Sequence, residues 1–294
     1  MDRRTDLALE ARELFGEDIK GAEYSDEVIN GLRIERLSIT SANAARLLKK
    51  PEGTYVTAQL PPLTDNIRDT DGRIRALSEE LGRLLPVNGT VLVAGLGNEQ
   101  ITPDALGPKA ASRVLATRHI TGEIARSTGL DRLRAVAVIN TGVTGRTGIE
   151  TSELLLGVIR NICPTALIAI DALASRRLER LGCTVQISDT GIAPGAGVGN
   201  RRVRIDKESM GIPVIAVGVP TVVDAMTLAF DLLDVEDESK GVRLSRAVSP
   251  QGRGMVVTPK EVDLLIDRAA RLISMCINMA LQRDIDTEDL LDLL

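Results

Sequence analysis

Aromatic residues are almost missing from this 294-residue chain, which has no Trp, two Tyr and two Phe. A single-strand nucleic-acid groove is therefore not expected, because such grooves stack successive bases on several aromatic side chains. A basic surplus is missing too: the formal net charge is -5, so phosphate backbones meet no general attraction. Histidine occurs once, as His119, which excludes a zinc site built from two or three histidines. Ser-His-Asp or Cys-His catalysis would have to recruit that same residue. It follows Thr117-Arg118 at the predicted end of a helix, where a protonated imidazole would favour the helix dipole. The three cysteines, Cys163, Cys183 and Cys276, lie far apart without metal-ligand spacing and read as buried small apolar residues of a reducing compartment. No window reaches about 18 uncharged apolar residues. The greasiest helix, Val262 to Leu281, carries Asp263, Asp267, Arg268 and Arg271. The first six residues are charged and lack an apolar signal core, so a soluble cytosolic protein with no membrane partner is expected. No Gly-Lys-Ser or Gly-Lys-Thr completes a phosphate loop, and Gly195, Gly197 and Gly199 are spaced G-x-G-x-G, a weak nucleotide signal.

What is present is aliphatic. Hydrophobic residues make up 44% of the chain, so the core is built from Leu, Ile, Val and Ala. A chain of this length buries roughly 75% of its unfolded surface without staples. Asp6 to Phe15 carries Leu7, Leu9, Ala11 and Leu14 among charges and reads as a short amphipathic helix or a mobile arm. Residues 32 to 39 alternate as a strand, and Thr54 to Leu60 is a second β-like run; together 32–60 form an added N-terminal β region. A helix through Leu77, Leu81, Leu84 and Leu85 stops before Pro86. Strand and helix then alternate. Strands fall at 90–94, 135–139, 166–170, 184–187 and 213–219, and helices at 105–115, 151–162, 173–181, 222–232 and 259–281. This predicts an α/β fold in a single domain over 1–294: a mostly parallel twisted sheet flanked by helices. The Gly- and Pro-broken run from Asp189 to Asn200 reads as an exposed irregular loop, and the tail from Asp284 to Leu294 is acidic and leucine-rich.

Two acids stand at predicted strand ends. Val91-Leu92-Val93-Ala94 breaks at Gly95-Leu96-Gly97-Asn98 and is followed by Thr102-Pro103-Asp104, while Leu167-Ile168-Ala169-Ile170 ends in Asp171. Ligands of open α/β sheets gather outside the carboxyl ends of parallel strands, so both acids are expected to face one crevice. Each also has an ordinary structural explanation. Thr102 and Pro103 suit a helix start whose dipole an acid complements, and Asp171 could simply cap the next helix. Held together, the two like charges would share a proton, which is the chemistry of water activation against an amide carbonyl. Glu150 and Asp189 lie near other sheet ends and read as solvated or capping residues. No EF-hand spacing occurs, and no metal or cofactor is assigned.

Several long motifs resemble one family. They are Arg4-Thr5-Asp6-Leu7-Ala8 with Glu10, Gly95-Leu96-Gly97-Asn98 with Thr102 to Pro108, Thr117-Arg118-His119, and Thr147 to Thr151. Ile170 to Arg176, Ser188 to Ile192, Pro194 to Asn200 and Val257 to Glu261 continue the likeness over nearly the whole chain. They are similar to the spore germination proteases, which degrade the small acid-soluble proteins coating DNA in dormant bacterial spores. The resemblance implies a catalytic pair at Asp104 and Asp171, and a fold like that of hydrogenase maturation proteases and phosphorylases. It implies a homotetramer in the spore core, made as a zymogen that removes a short propeptide, here residues 1–6, by cutting Asp6-Leu7. Its substrate would be protein and not nucleic acid. Two other functions remain open from the residues: a small-molecule phosphorylase-like hydrolase using the Gly191 to Asn200 loop as an anion nest, and a non-enzymatic binding protein.

Overall fold

Strands β4 (Val91–Leu96), β6 (Ala166–Ser175) and β8 (Val214–Asp224) are apolar on both faces, and that composition places them in the middle of the molecule. The computed structural model describes residues 4–16, 18–64, 71–127, 130–196, 202–233, 248, 254–283 and 285. The remaining strands are β1 (Ala22–Ile29), β2 (Leu32–Ile39), β3 (Gly53–Gln59), β5 (Val136–Gly142), β7 (Thr184–Ser188) and β9 (Val256–Val257). They form one nine-stranded sheet in the order β1-β2-β3-β7-β8-β6-β4-β5, with β9 added to β8. The half that carries the acids, β8-β6-β4-β5, is parallel. From β8 outward through β7, β3, β2 and β1 the pairing is antiparallel, so the strands within 32–60 continue the same sheet.

Successive side chains on a strand point to opposite faces, and each face of this sheet has its own core. Val91, Val93, Ile168, Ile170, Ile215 and Val217 face one side. There they meet α3 (Asp71–Leu84), α4 (Leu106–Ala111) and the long C-terminal helix Val262–Leu281. Leu92, Ala94, Leu167, Ala169 and Ala216 face the other side, against Leu155 and Ile159 of the helix Thr151–Ile162. Burying one such leucine contributes about 1.5–3 kcal/mol, so these two layers supply the main driving force. A third cluster joins α1 (Ala8–Phe15) and α2 (Ala42–Leu48) to Leu37, Ile39 and Tyr55 of the antiparallel extension.

Several local expectations change. Strand β6 does not end at Asp171 and no helix begins there: residues 172–175 stay extended because they pair with β8 as far as Val223. Asp171 is therefore not a helix cap. Thr102 is not one either, since 102–104 form a 3-10 turn after Ile101, and α4 is only six residues long. His119 lies exposed in a turn beyond α4, which stops at Ala111, so it is not at the end of that helix. Cys163 is exposed and Cys183 half-buried, leaving Cys276 as the one fully buried thiol. The first half of the glycine loop is not exposed: Ile192 pairs with Ile205 and is buried in the second core. Residues 197–200 of that loop, and nearly all of the acidic tail, lie outside the described residues.

Candidate active site

The pairing of β4 with β6 stops at Gly95 opposite Ile170, and Asp171 is the next residue of β6. Past β4 the chain turns back so that the Asn98 N–H donates to Asp104 Oδ2 at 2.7 Å, and the Thr221 hydroxyl donates to the Pro103 carbonyl at 2.8 Å. Helix α4 then sits directly on the strand ends. A β-carbon on Gly107 would stand 2.2 Å from the Leu96 carbonyl oxygen and 2.4 Å from that of Ile170. Only a residue without a side chain permits this approach, and it is what draws Asp104 toward Asp171.

The charge of Asp104 reaches Asp171. Asp171 is 5% exposed, and burial, followed by the charges of Asp104 and Asp6, raises its carboxyl well above the usual range. The Ala172 N–H, donating to Asp171 Oδ1 at 2.9 Å, and the cation of Arg202 oppose the shift. Asp104 is more open. Burial raises it as well, while the Asn98 N–H and Arg202 pull it down. Of the two, Asp171 is the more deeply buried and has the more strongly raised carboxyl.

The N-terminal segment lies across this site. Its backbone bends at Asp6, is extended at Leu7 and becomes helical at Ala8. The Asp6 N–H donates to the Ala174 carbonyl at 2.8 Å, and the Ala174 N–H donates to Asp6 Oδ2 at 2.8 Å, which binds the segment to the strand that carries Asp171. Leu7 is fully buried in the core cluster that also holds Leu173. Glu10, likewise fully buried, accepts from the Arg176 N–H at 2.7 Å, from the Arg177 N–H at 3.0 Å, and from the Thr5 hydroxyl. The Asp6 carbonyl receives two side-chain donors: Lys50 Nζ at 2.8 Å and Gln186 Nε2 at 3.2 Å. Lys50 also donates to the Thr5 carbonyl at 3.0 Å, and Gln186 Oε1 accepts from the Ala8 N–H at 2.8 Å. Burial lowers the Lys50 ammonium from its ordinary value, against the opposing charges of Asp6 and Glu10. A cavity of about 500 Å³ opens beside the segment, lined in part by Lys50, Tyr55, Gln186, Ser188 and Arg204.

Of the residues singled out from sequence, Asp104, Asp171, Asp6 and Leu7 converge here. Glu150 is half-buried and makes no side-chain cap for the helix it precedes; Asp189 instead accepts the Thr54 N–H at 2.7 Å. Lys50, Gln186 and Arg202 were not anticipated. A Lys-Lys-Pro turn and a glutamine in an alternating strand carry no signal of their own. Among the described residues no group of three or more acidic, histidine or cysteine side chains is arranged to hold a metal ion, and no helix is long and apolar enough to cross a membrane.

Known proteins resemble this chain over nearly its whole length. The family model described as germination protease matches residues 4–236. The germination protease of Caldanaerobacter subterraneus is 43% identical, with 99% of this chain and 98% of that one covered. That of Clostridium perfringens is 39% identical over 98% and 97%, and that of Priestia megaterium 35% over 97% and 95%. Among solved structures, the nickel–iron hydrogenase maturation protease HycI of Thermococcus kodakarensis aligns with a TM-score of 0.37 at 17% identity, covering 67% of this chain and 98% of that one. The chain belongs to the germination protease family, peptidases of spore germination.

Proposed function

We propose that this peptidase is an atypical aspartic endopeptidase that uses Asp104 and Asp171 to begin breaking down the small acid-soluble proteins of bacterial spores. It is made as a zymogen in the spore core, works as a homotetramer, and activates itself by cutting Asp6-Leu7, losing residues 1–6. The seating of the N-terminal segment carries this reading. An acid followed by a buried apolar residue is hydrogen-bonded through its backbone and its side chain to the strand bearing Asp171, as a bound substrate would be.

In the reaction, ionised Asp104 takes a proton from water as the water oxygen attacks the Asp6 carbonyl carbon. The carbonyl electron pair moves onto its oxygen. When the tetrahedral species collapses, that pair re-forms the carbonyl, the C–N bond breaks, and Asp171 gives its proton to the leaving nitrogen. The proton held by Asp104 then passes to Asp171, restoring the starting pair. General acid–base groups contribute about 10²–10⁴-fold each. Asp104→Asn and Asp171→Asn should each slow release of residues 1–6 by at least that factor, followed by mass spectrometry, and leave added small acid-soluble proteins uncut. Full activity of Asp104→Asn would end the proposal. Sedimentation as a monomer would remove the tetramer from it.

A further inference from the structure

We propose that Lys50 and Gln186 form the cradle that binds and polarises the scissile carbonyl, making Lys50 a catalytic residue alongside the two aspartates. The inference rests on the reading of Asp6-Leu7 as the bond that is cut.

The geometry is specific. A carbonyl oxygen has two lone pairs, and on Asp6 both are engaged by side-chain donors from different parts of the fold. Lys50 follows α2 in a tight turn: Lys49 is left-handed, and the Lys50 N–H closes the helix end on the Ala45 carbonyl at 3.1 Å. Pro51 then stiffens the exit, so the ammonium is aimed inward by a rigid corner. Gln186 sits on β7 and spans the peptides on both sides of Leu7, with Nε2 on the Asp6 carbonyl and Oε1 on the Ala8 N–H. Just before them, the Asp6 N–H is fixed to the Ala174 carbonyl at 2.8 Å.

The choice of partner matters as much as the distance. Taking an ammonium out of water is costly unless a strong acceptor meets it. Both hydrogen bonds of Lys50 run to neutral backbone carbonyls, at Thr5 and Asp6, and the carboxylates of Asp6 and Glu10 compensate it only through space, less than burial costs it. The contact strengthens when the Asp6 oxygen gains negative charge in the tetrahedral species, which is the condition under which a preorganised donor accelerates a reaction. Lys50 and Gln186 therefore supply what the two carboxylates cannot, a positive site for the oxygen while Asp104 and Asp171 handle the protons.

Self-cleavage of the full chain tests this cleanly, because the segment is already in place and its first-order rate reads the chemical step. Lys50→Met should slow loss of residues 1–6 by about 10²–10³-fold, the effect of removing one oxyanion donor. Methylammonium in the buffer should restore part of the rate to Lys50→Ala and do nothing for Asp104→Asn. Hydrogen exchange at the Ala174 amide reports whether the segment stays seated. Slowing with that protection intact, together with amine rescue, supports the cradle. Unchanged cleavage in Lys50→Met while Asp104→Asn is dead overturns it and spares the aspartate mechanism. Lost protection in Lys50→Met assigns the lysine to anchoring and overturns its catalytic role, as does failure of rescue with the segment in place. No cleavage by the unsubstituted chain would overturn the self-processing reading and the cradle with it.

Discussion

Replacing Gly107 with alanine adds one methyl group where α4 rests on the ends of β4 and β6. The new carbon would lie 2.2 Å from the Leu96 carbonyl oxygen and 2.4 Å from that of Ile170, both backbone atoms that cannot swing aside. Relaxed carbon–oxygen contacts are about 3.3–3.6 Å, so the helix must withdraw by roughly 1 Å. Overpacking of this kind costs about 1–3 kcal/mol. In a chain of this size that lowers the melting temperature by several degrees, at about 2–4 °C per kcal/mol. Asp104 lies three residues earlier, at the end of the 3-10 turn that leads into α4, and would move with it. A displacement of roughly 1 Å in a catalytic group costs about 10²-fold in rate. Gly157→Ala is the matched control: it lies inside a helix with nothing within 4 Å of the added carbon, and should gain about 0.5–1 kcal/mol while leaving cleavage unchanged. Far-ultraviolet circular dichroism follows unfolding, since the chain has no Trp to report it. Mass spectrometry follows cleavage. A Gly107→Ala chain that melts and cleaves like the parent refutes the argument. One that is destabilised but cleaves normally breaks the link between this contact and the placing of Asp104.

The remaining expectations concern charge. Because Asp171 binds its proton more tightly folded than unfolded, the native state loses stability as pH rises from the unfolded carboxyl value of about 3.9 to the higher folded one. Asp171→Asn should therefore be more stable than the parent at neutral pH in urea unfolding, with the gap closing toward pH 4 or below; a gap independent of pH contradicts the raised carboxyl. The cleavage rate should trace a bell, rising as Asp104 ionises above the usual carboxylate range and falling as Asp171 loses its proton. A rate still climbing where both are ionised would count against the pair. Glu10→Gln removes a buried charge that accepts two backbone N–H groups, bonds of about 1.5–3 kcal/mol each. It should speed removal of the N-terminal segment by an added protease, and an unchanged digestion rate would show that Glu10 is not what holds it.

The parts of the fold written as periodic pattern were legible. Strand β2 was read at its observed bounds, and the helix Thr151–Ile162 likewise, because alternation and helical spacing there agree with local preference. Strand β1 was missed because it is a largely exposed, polar edge; the Asn30-Gly31 pair, with both residues at positive φ, was the available hairpin signal. The run Ala172-Leu173-Ala174 favours a helix locally, and pairing with β8 on one side overrides it. The convergence of Asp104 and Asp171 was legible because β4 and β6 are parallel neighbours that carry them to one edge of the sheet. Lys50 and Gln186 were not, since their meaning comes from a segment some forty or more residues away in the chain.

The depth at which Leu7 is held has a consequence after the bond is cut. Its N–H now donates to the Thr5 hydroxyl at 3.0 Å, and Thr5 belongs to the piece that departs. Hydrolysis turns that nitrogen into an amine with an ordinary pKa of about 7.7–8.0, charged in neutral water but lodged in a greasy pocket without its partner. On the other side of the break Asp6 would acquire a second carboxylate near Asp171, whose carboxyl already feels the Asp6 charge. After the proposed cut the new carboxylate would stay on the Lys50 and Gln186 donors while the new amine would lack a partner in its pocket, so the Leu7 end is the one that would move toward water.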